Sequence, residues 1–259
     1  MAGFGNRFKE AGYDTIKPMI NVSGTPMFVR AVNDLPKASH YTFIIQKAHS
    51  KTFDMTGAIK YYFPDSQIVT LHKPTQGQAC TVLKAKPFVD LNQQVLVGAC
   101  DNSHLYNTQL FNKTLTNPTI DCSIWTYRGE PRVAVKPEQY GWVQTQKETS
   151  RVDYVSCKKP ISKHPLNDHA VSGCFYFKQS GVMFDAIETL MNHDLSTNNE
   201  YYMDTVPNIL IKHKLNVQCF EVEKYIGWGT PQDLEEYHKW CKYVNLQNKS
   251  SQRAHYVGH

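Results

Sequence analysis

Met1-Ala2-Gly3-Phe4-Gly5-Asn6-Arg7-Phe8, with Lys17-Pro18 downstream, sets out the parts of a triphosphate site. Gly3 and Gly5 remove side chains where backbone N–H groups must point at an anion, and a tight turn of this kind forms a nest of positive potential. Ala2 and Asn6 complete the loop as candidate nucleotide contacts. Arg7 can fork onto phosphate oxygens, and Lys17 offers a compact charge where negative charge accumulates in phosphoryl transfer. A Gly-x-Gly pair alone also fits a flexible segment beside a surface arginine, so residues elsewhere in the chain decide between the two. A glycine-rich phosphate loop belongs between a central strand and a helix, which makes this an α/β chain.

The patterning downstream agrees. Short apolar runs rich in β-branched residues alternate with amphipathic stretches, the pattern of an α/β domain with a mixed, mostly parallel sheet. Thr42–Gln46, Ile68–Leu71, Val95–Gly98 and Val171–Phe177 read as strands. Thr25-Pro26 reads as a cap and first residue of a helix continuing through Met27–Leu35, with further helices at Gly181–His193, Glu200–Lys214 and Pro231–Tyr243. The 259 residues fit a single α/β domain over 1–244, followed by a polar, aperiodic segment, 245–259, expected to be disordered. No apolar strand precedes the glycine loop, so the expected domain either lacks its first strand or belongs to a chain that begins earlier.

Composition removes several function classes. The net charge is +5, but Lys242, Lys249 and Arg253 supply three of those charges in a stretch without carboxylates, and no basic stripe lies on a periodic element. No nucleic-acid partner is expected. The seven cysteines form no Cys-x-x-Cys pair, which argues for reduced thiols rather than a zinc site or disulfides. With no apolar run of spanning length and no signal-peptide layout, the chain is expected to be cytoplasmic with no membrane partner.

Further segments carry candidate chemistry. Thr75-Gln76-Gly77-Gln78-Ala79 comes after a strand and opens a helix. Val95-Leu96-Val97-Gly98-Ala99-Cys100-Asp101-Asn102 is a strand ending in a carboxylate, where open α/β sheets place ligands and where a hard oxygen suits Mg²⁺; Asp101 as an ordinary turn former is the alternative. Val155-Ser156-Cys157-Lys158-Lys159-Pro160 holds paired lysines, and Gly173 in the last strand is a site glycine or a bulge. Thr230, Pro231 and Asp233 make helix-start sense as cap, first residue and acidic third residue.

In this order, from Met1 to about Trp240, these segments resemble the sugar-phosphate nucleotidyltransferase family, pyrophosphorylases that join a nucleoside triphosphate to a sugar 1-phosphate. The resemblance implies a Rossmann-like, three-layer domain of the GT-A kind. It implies that Gln76 and Gly77 read the nucleobase, that Asp101 holds Mg²⁺, and that Arg7, Lys17 and Asp101 are catalytic. Lys159 would hold the acceptor phosphate, with Lys158, Gly173 and Glu200 around the acceptor. Two positions depart from the family pattern. Lys158 stands where the family has a glutamate that accepts from a sugar hydroxyl, which leaves acceptor identity open, and Gly227 stands where an aspartate often supplies a second metal ligand. Asn199–Asp204 is a candidate source of a substitute carboxylate. The implied partners are a nucleoside triphosphate and a phosphorylated acceptor, in a pathway feeding polysaccharide or glycoconjugate synthesis, with homo-oligomer formation left open. Two alternatives stand beside this: a glycosyltransferase of related fold, although Asp101-Asn102-Ser103 lacks its Asp-x-Asp motif, and a weakly active nucleotide-binding regulatory subunit.

Overall fold

Cys122-Ser-Ile-Trp-Thr-Tyr127 is buried at every position, and it forms the middle of the sheet although Ser123 and Thr126 interrupt its apolar run. The computed structural model describes residues 1, 3 and 5–256, with side chains through residue 246. In the first third come α1 (Asn6–Glu10), β1 (Asn21–Val22), β2 (Thr25–Pro26), α2 (Met27–Asn33), β3 (Thr42–Gln46), α3 (Lys47–Phe53), α4 (Met55–Tyr62), β4 (Gln67–Leu71) and α5 (Gln78–Leu83). The middle holds β5 (Val95–Val97), β6 (Asn102–Leu105), α6 (Thr108–Thr116), β7 (Cys122–Tyr127), α7 (Arg132–Val135), β8 (Gly141–Thr145) and β9 (Val152–Cys157). The last third adds β10 (His169–Phe177), α8 (Ser180–Asn192), α9 (Val206–Lys212), β11 (Val217–Glu221), β12 (Lys224–Gly227) and α10 (Pro231–Tyr256).

The main sheet has six strands, with β11, β7, β10, β8 and β9 in that order and β5 also on β10. β11 runs parallel to β7, whereas β10 is antiparallel to β7, β5 and β8. β3 and β4 form a separate parallel pair. The sheet is therefore mixed, but its hydrogen-bonded pairings are mostly antiparallel, because β10 is wedged between β5 and β7 and turns two parallel neighbours into two antiparallel ladders. Among the described residues β3 and β5 each carry a partner strand on one edge only. Ile44 of β3 nevertheless packs against the core that Val95 and Val97 also join.

β10 creates the geometry that matters for the site. One of its edges pairs with β8 at His169–Ala170 and with β5 at Phe175–Phe177, so the edge is unclaimed by strands between them. The ladder to β7 slips in the same stretch, between Val171 and Phe175, where Gly173 adopts φ 87°. This is a bulge at a glycine, which bends the strand and splits its neighbours apart. Asn102 fills the split by donating from Nδ2 to the Ser172 carbonyl at 2.8 Å.

Packing follows the sequence pattern. α8 buries Met183, Phe184, Ala186, Ile187 and Leu190, one face of a helix, against Phe175 and Phe177 of β10. Each such side chain contributes about 1.5–3 kcal/mol on burial. Several boundaries differ from expectation. Thr25-Pro26 is a strand paired with β1, and α2 begins after it with no side-chain cap. The helix expected from Glu200 begins at Val206, because Glu200 bridges Thr197 and Pro207 lies in the first turn of α9. α10 continues to Tyr256, since the stretch read as a polar tail contains no glycine or proline to stop it before Gly258; residues 257–259 lie outside the described residues. No helix among the described residues is long and apolar enough to cross a membrane.

Candidate functional site

The glycine turn leads into a residue far away in sequence. Gly5 takes φ 64° ahead of α1, and a Cβ there would lie 3.3 Å from the Lys17 Cβ, so turn and lysine are packed together. Lys17 Nζ is 2.5 Å from Asp101 Oδ2 and donates to the Gly229 carbonyl at 3.2 Å. The pair is partly open to water, with the two side chains 20% and 29% exposed. Phe8, buried behind the turn, places its ring 5.7 Å from the ammonium. The Asp101 carbonyl accepts from Trp228 N–H at 2.7 Å, which fixes the turn after β5 against the segment leading to α10.

Gly229 stands between two carboxylates: a Cβ on it would lie 3.7 Å from Asp101 Oδ2 and 3.8 Å from Asp233 Oδ2. Only one of these carboxylates has capacity to spare. Asp233 Oδ1 is 2.5 Å from Arg132 Nη1, and its Oδ2 accepts from Thr230 N–H at 3.1 Å while Asp233 N–H donates to Thr230 Oγ1 at 3.2 Å. That is a capping box, as the sequence predicts for this helix start. Arg132 also pairs with Glu130 at 3.1 Å; burial works against its charge, but the hydrogen bonds it donates to Glu130 and Asp233 outweigh it and raise its pKa. Asp101 has Lys17 on Oδ2, leaving Oδ1. Mg²⁺ commonly takes one or two carboxylates and fills its other positions with water and substrate phosphates, so Asp101 fits such an ion. Among the described residues no cluster of three or more His, Cys, Asp or Glu side chains is arranged as an all-protein metal cage.

Gln76 and Gly77 lie on another wall. Gly77 takes φ 101°, and a Cβ there would fall 2.6 Å from the Tyr201 carbonyl oxygen. The Gln76 carbonyl accepts from Tyr201 N–H at 3.0 Å, and Ala79 N–H donates to the Tyr201 carbonyl at 2.9 Å. The close approach that the glycine permits is thus made, at least in part, by the chain's own segment at Tyr201. The same segment reaches the lysine turn. Lys158, at φ 59°, donates to the Gln139 carbonyl and lies 5.3 Å from the Tyr202 ring centroid, and the Tyr202 hydroxyl donates to Glu200. Lys159 is exposed, with its carbonyl held by Ser156 Oγ at 2.6 Å. Gly173 faces the Asp101 turn: a Cβ on it would sit 3.5 Å from the Ala99 Cβ and 3.6 Å from Asn102 Nδ2.

Of the expected site residues, Gly5, Lys17 and Asp101 meet directly, Gly173 joins them through Asn102, and Lys158 and Glu200 meet around Tyr202. Gly3, Asn6 and Arg7 are exposed on or beside α1, and Ala2 lies outside the described residues. Asp204 joins the lysine turn, where the Lys158 charge partly offsets the burial that raises its pKa. His104, close to Asp101 in sequence, is a core residue: burial lowers its pKa to about 4, and its neutral ring packs edge-on to Trp125 at 5.2 Å.

No protein-family model matches this chain, and no curated protein matches it in sequence. Solved structures do match. A nucleoside-diphosphate-sugar pyrophosphorylase from Vibrio cholerae RC9 superposes with a TM-score of 0.73 at 21% identity, over 92% of this chain and 97% of that one. The fold is that of the sugar-phosphate nucleotidyltransferases. An inositol-1-phosphate CTP transferase from T. maritima has it too (TM-score 0.70, 12% identity, 92% and 91% covered). So does a putative glucose-1-phosphate thymidylyltransferase from Bacillus anthracis, whose structure holds sucrose (TM-score 0.69, 18% identity, 92% of each chain).

Proposed function

We propose that this protein transfers a nucleoside monophosphate group from a nucleoside triphosphate to a phosphorylated acceptor, a sugar 1-phosphate by preference, and releases pyrophosphate. The observation that carries the reading is the meeting of Lys17 with Asp101 beside the Gly5 turn: 84 positions apart in sequence, they bring one cation and one carboxylate to a glycine loop. An acceptor phosphate oxygen attacks the α-phosphorus in line and pyrophosphate leaves, so the protein's work is charge handling and alignment. Arg7 holds the leaving phosphates. Lys17 moves from Asp101 to the α-phosphoryl oxygens as substrate enters, exchanging one anion for another. Asp101 would hold Mg²⁺, which supplies neutralisation of the triphosphate charge. Gln76 and Gly77 border the base, and Lys159, exposed and free to swing, takes the acceptor phosphate. No protein nucleophile is called for. The three structural neighbours, a pyrophosphorylase, a CTP transferase and a putative thymidylyltransferase, support this choice over a glycosyltransferase. Activated nucleotides of this kind feed polysaccharide and glycoconjugate assembly.

The test is a screen of the four common triphosphates against phosphorylated acceptors with Mg²⁺, monitoring pyrophosphate. Acceptor-dependent release with one pairing well ahead of the others is expected. Triphosphate binding without release for any acceptor would instead support the regulatory-subunit alternative.

A further inference from the structure

The lysine turn has a carboxylate beside it that no other described side chain pairs with. Asp204 sits in a short 3-10 turn, Met203–Thr205, packed on β9, β10 and α9. Its carboxylate lies flat on the start of β8: a Cβ at Gly141 would fall 2.2 Å from Asp204 Oδ2 and 3.1 Å from Val171 Cγ2. Only glycine at 141 leaves room for it, and Val171 marks the near end of the split in β10. Asp204 is half-buried, hydrogen-bonds only to its own backbone N–H, and enters no ion pair among the described residues. An anion so placed is costly unless something pairs with it.

Its surroundings are rich in donors and poor in acceptors. Lys158 and Lys159 can only donate, and the Lys158 ammonium is already held by the Gln139 carbonyl and the Tyr202 ring. Glu200 accepts from the Tyr202 hydroxyl on one oxygen. An ionised Asp204, with no side-chain partner among the described residues, has both oxygens available to hydroxyl donors. Resting on the nucleotidyl transfer reading above, we propose that Asp204 is the specificity-determining residue of the acceptor site, accepting hydrogen bonds from the hydroxyls of a sugar or polyol monophosphate whose phosphate lies on Lys159. Lys158 then flanks the acceptor rather than reading its hydroxyls, and Gly141 is required because a side chain there would displace the carboxylate.

The experiment uses the full chain as wild type, Asp204→Asn and Asp204→Ala, with a sugar 1-phosphate and its singly deoxygenated analogues. Calorimetric binding of each phosphate, nucleotide binding, and kcat and KM for the acceptor are measured together with a thermal melt. Wild type is expected to prefer the fully hydroxylated phosphate over one deoxy analogue by about 10- to 100-fold, the range of a hydrogen bond to a charged group. Both variants should lose that preference and raise acceptor KM, with nucleotide affinity unchanged and the protein still folded. Retained discrimination in both variants overturns the assignment, as does an equal loss of nucleotide and acceptor binding, which would mark Asp204 as structural. The two readings fail separately. Wild type that binds the phosphate with hydroxyl preference but releases no pyrophosphate overturns the transfer reaction while the binding data still decide Asp204; wild type that binds no hydroxylated phosphate overturns the Asp204 proposal.

Discussion

Lys17 is paired with Asp101, and this shapes what its loss should do. Removing a positive contact made in the transition state costs about 2–4 kcal/mol of activation free energy, so Lys17→Ala and Arg7→Ala should lower kcat by about 10²–10³-fold with the melting temperature little changed. Unchanged turnover in either variant would remove that residue from the mechanism. Asp101→Asn should weaken activity most at limiting Mg²⁺, because the amide keeps the shape and loses the charge; full activity there would return Asp101 to the role of a turn former. Asp204 yields a prediction that needs no substrate. Burial raises its pKa from 3.8 to about 6, with the Lys158 charge pulling the other way. A raised carboxyl pKa adds stability that is complete below the unfolded value and is lost as pH rises through the folded one. Asp204→Asn, which does not titrate, should therefore gain melting temperature relative to wild type between about pH 4 and about pH 7 and hold that gain above it. A difference that stays flat across this range would show that Asp204 titrates normally. Lys17, Asp101 and Lys158 stood out in the sequence through the short motifs around them: the glycine loop with Lys-Pro, the strand that ends in a carboxylate, and the paired lysines before Pro160. Asp204 was visible only as one acid in the polar stretch Asn199–Asp204, because what distinguishes it is contact with Gly141, 63 positions away, which local pattern does not carry.

At the scale of elements, the candidate site hangs on a close approach between segments that Gly77 permits. Gly77 at φ 101° lets the start of α5 run against the backbone at Tyr201, so the Gln76 segment and the segment that reaches the lysine turn share one wall. Gly77→Ala places a Cβ 2.6 Å from the Tyr201 carbonyl in a backbone region that L-residues avoid. It should cost about 1–3 kcal/mol of stability from strain and loosen both sites. Differential scanning calorimetry with and without triphosphate checks this, and a melting temperature equal to wild type would mean the wall is free to shift. Four strands were legible from apolar runs: Thr42–Gln46 is recovered at its full length, and Val95–Val97 ends where the carboxylate turn begins. Cys122–Tyr127 escaped because Ser123 and Thr126 are fully buried within it, and β6, Asn102–Leu105, escaped because three of its residues are polar yet buried against β12 and β10. Burial of those polar groups is decided by partners supplied from elsewhere in the fold.

For the whole molecule, alternation of strands and helices was enough to place the chain among α/β folds, and the order of the short motifs was enough to suggest which one. The direction of the strands was not legible. β10 enters antiparallel between β5 and β7, and nothing in His169–Phe177 distinguishes an antiparallel wedge from a parallel core strand, since either is buried along nearly its whole length. The consequence reaches the candidate site: the wedge leaves β10 split between β8 and β5, and that split, filled by Asn102, sets the Asp101 turn opposite Lys17. The central claim is transfer of a nucleoside monophosphate through this arrangement. Its most direct measurement tracks a triphosphate labelled at the α-phosphorus, incubated with the protein, Mg²⁺ and a phosphorylated acceptor. The label is predicted to appear in a diphosphate-linked product of nucleotide and acceptor, in equal amount to the pyrophosphate released and only when the acceptor is present; label that remains in the triphosphate, or appears as free monophosphate at the same rate without acceptor, would contradict it.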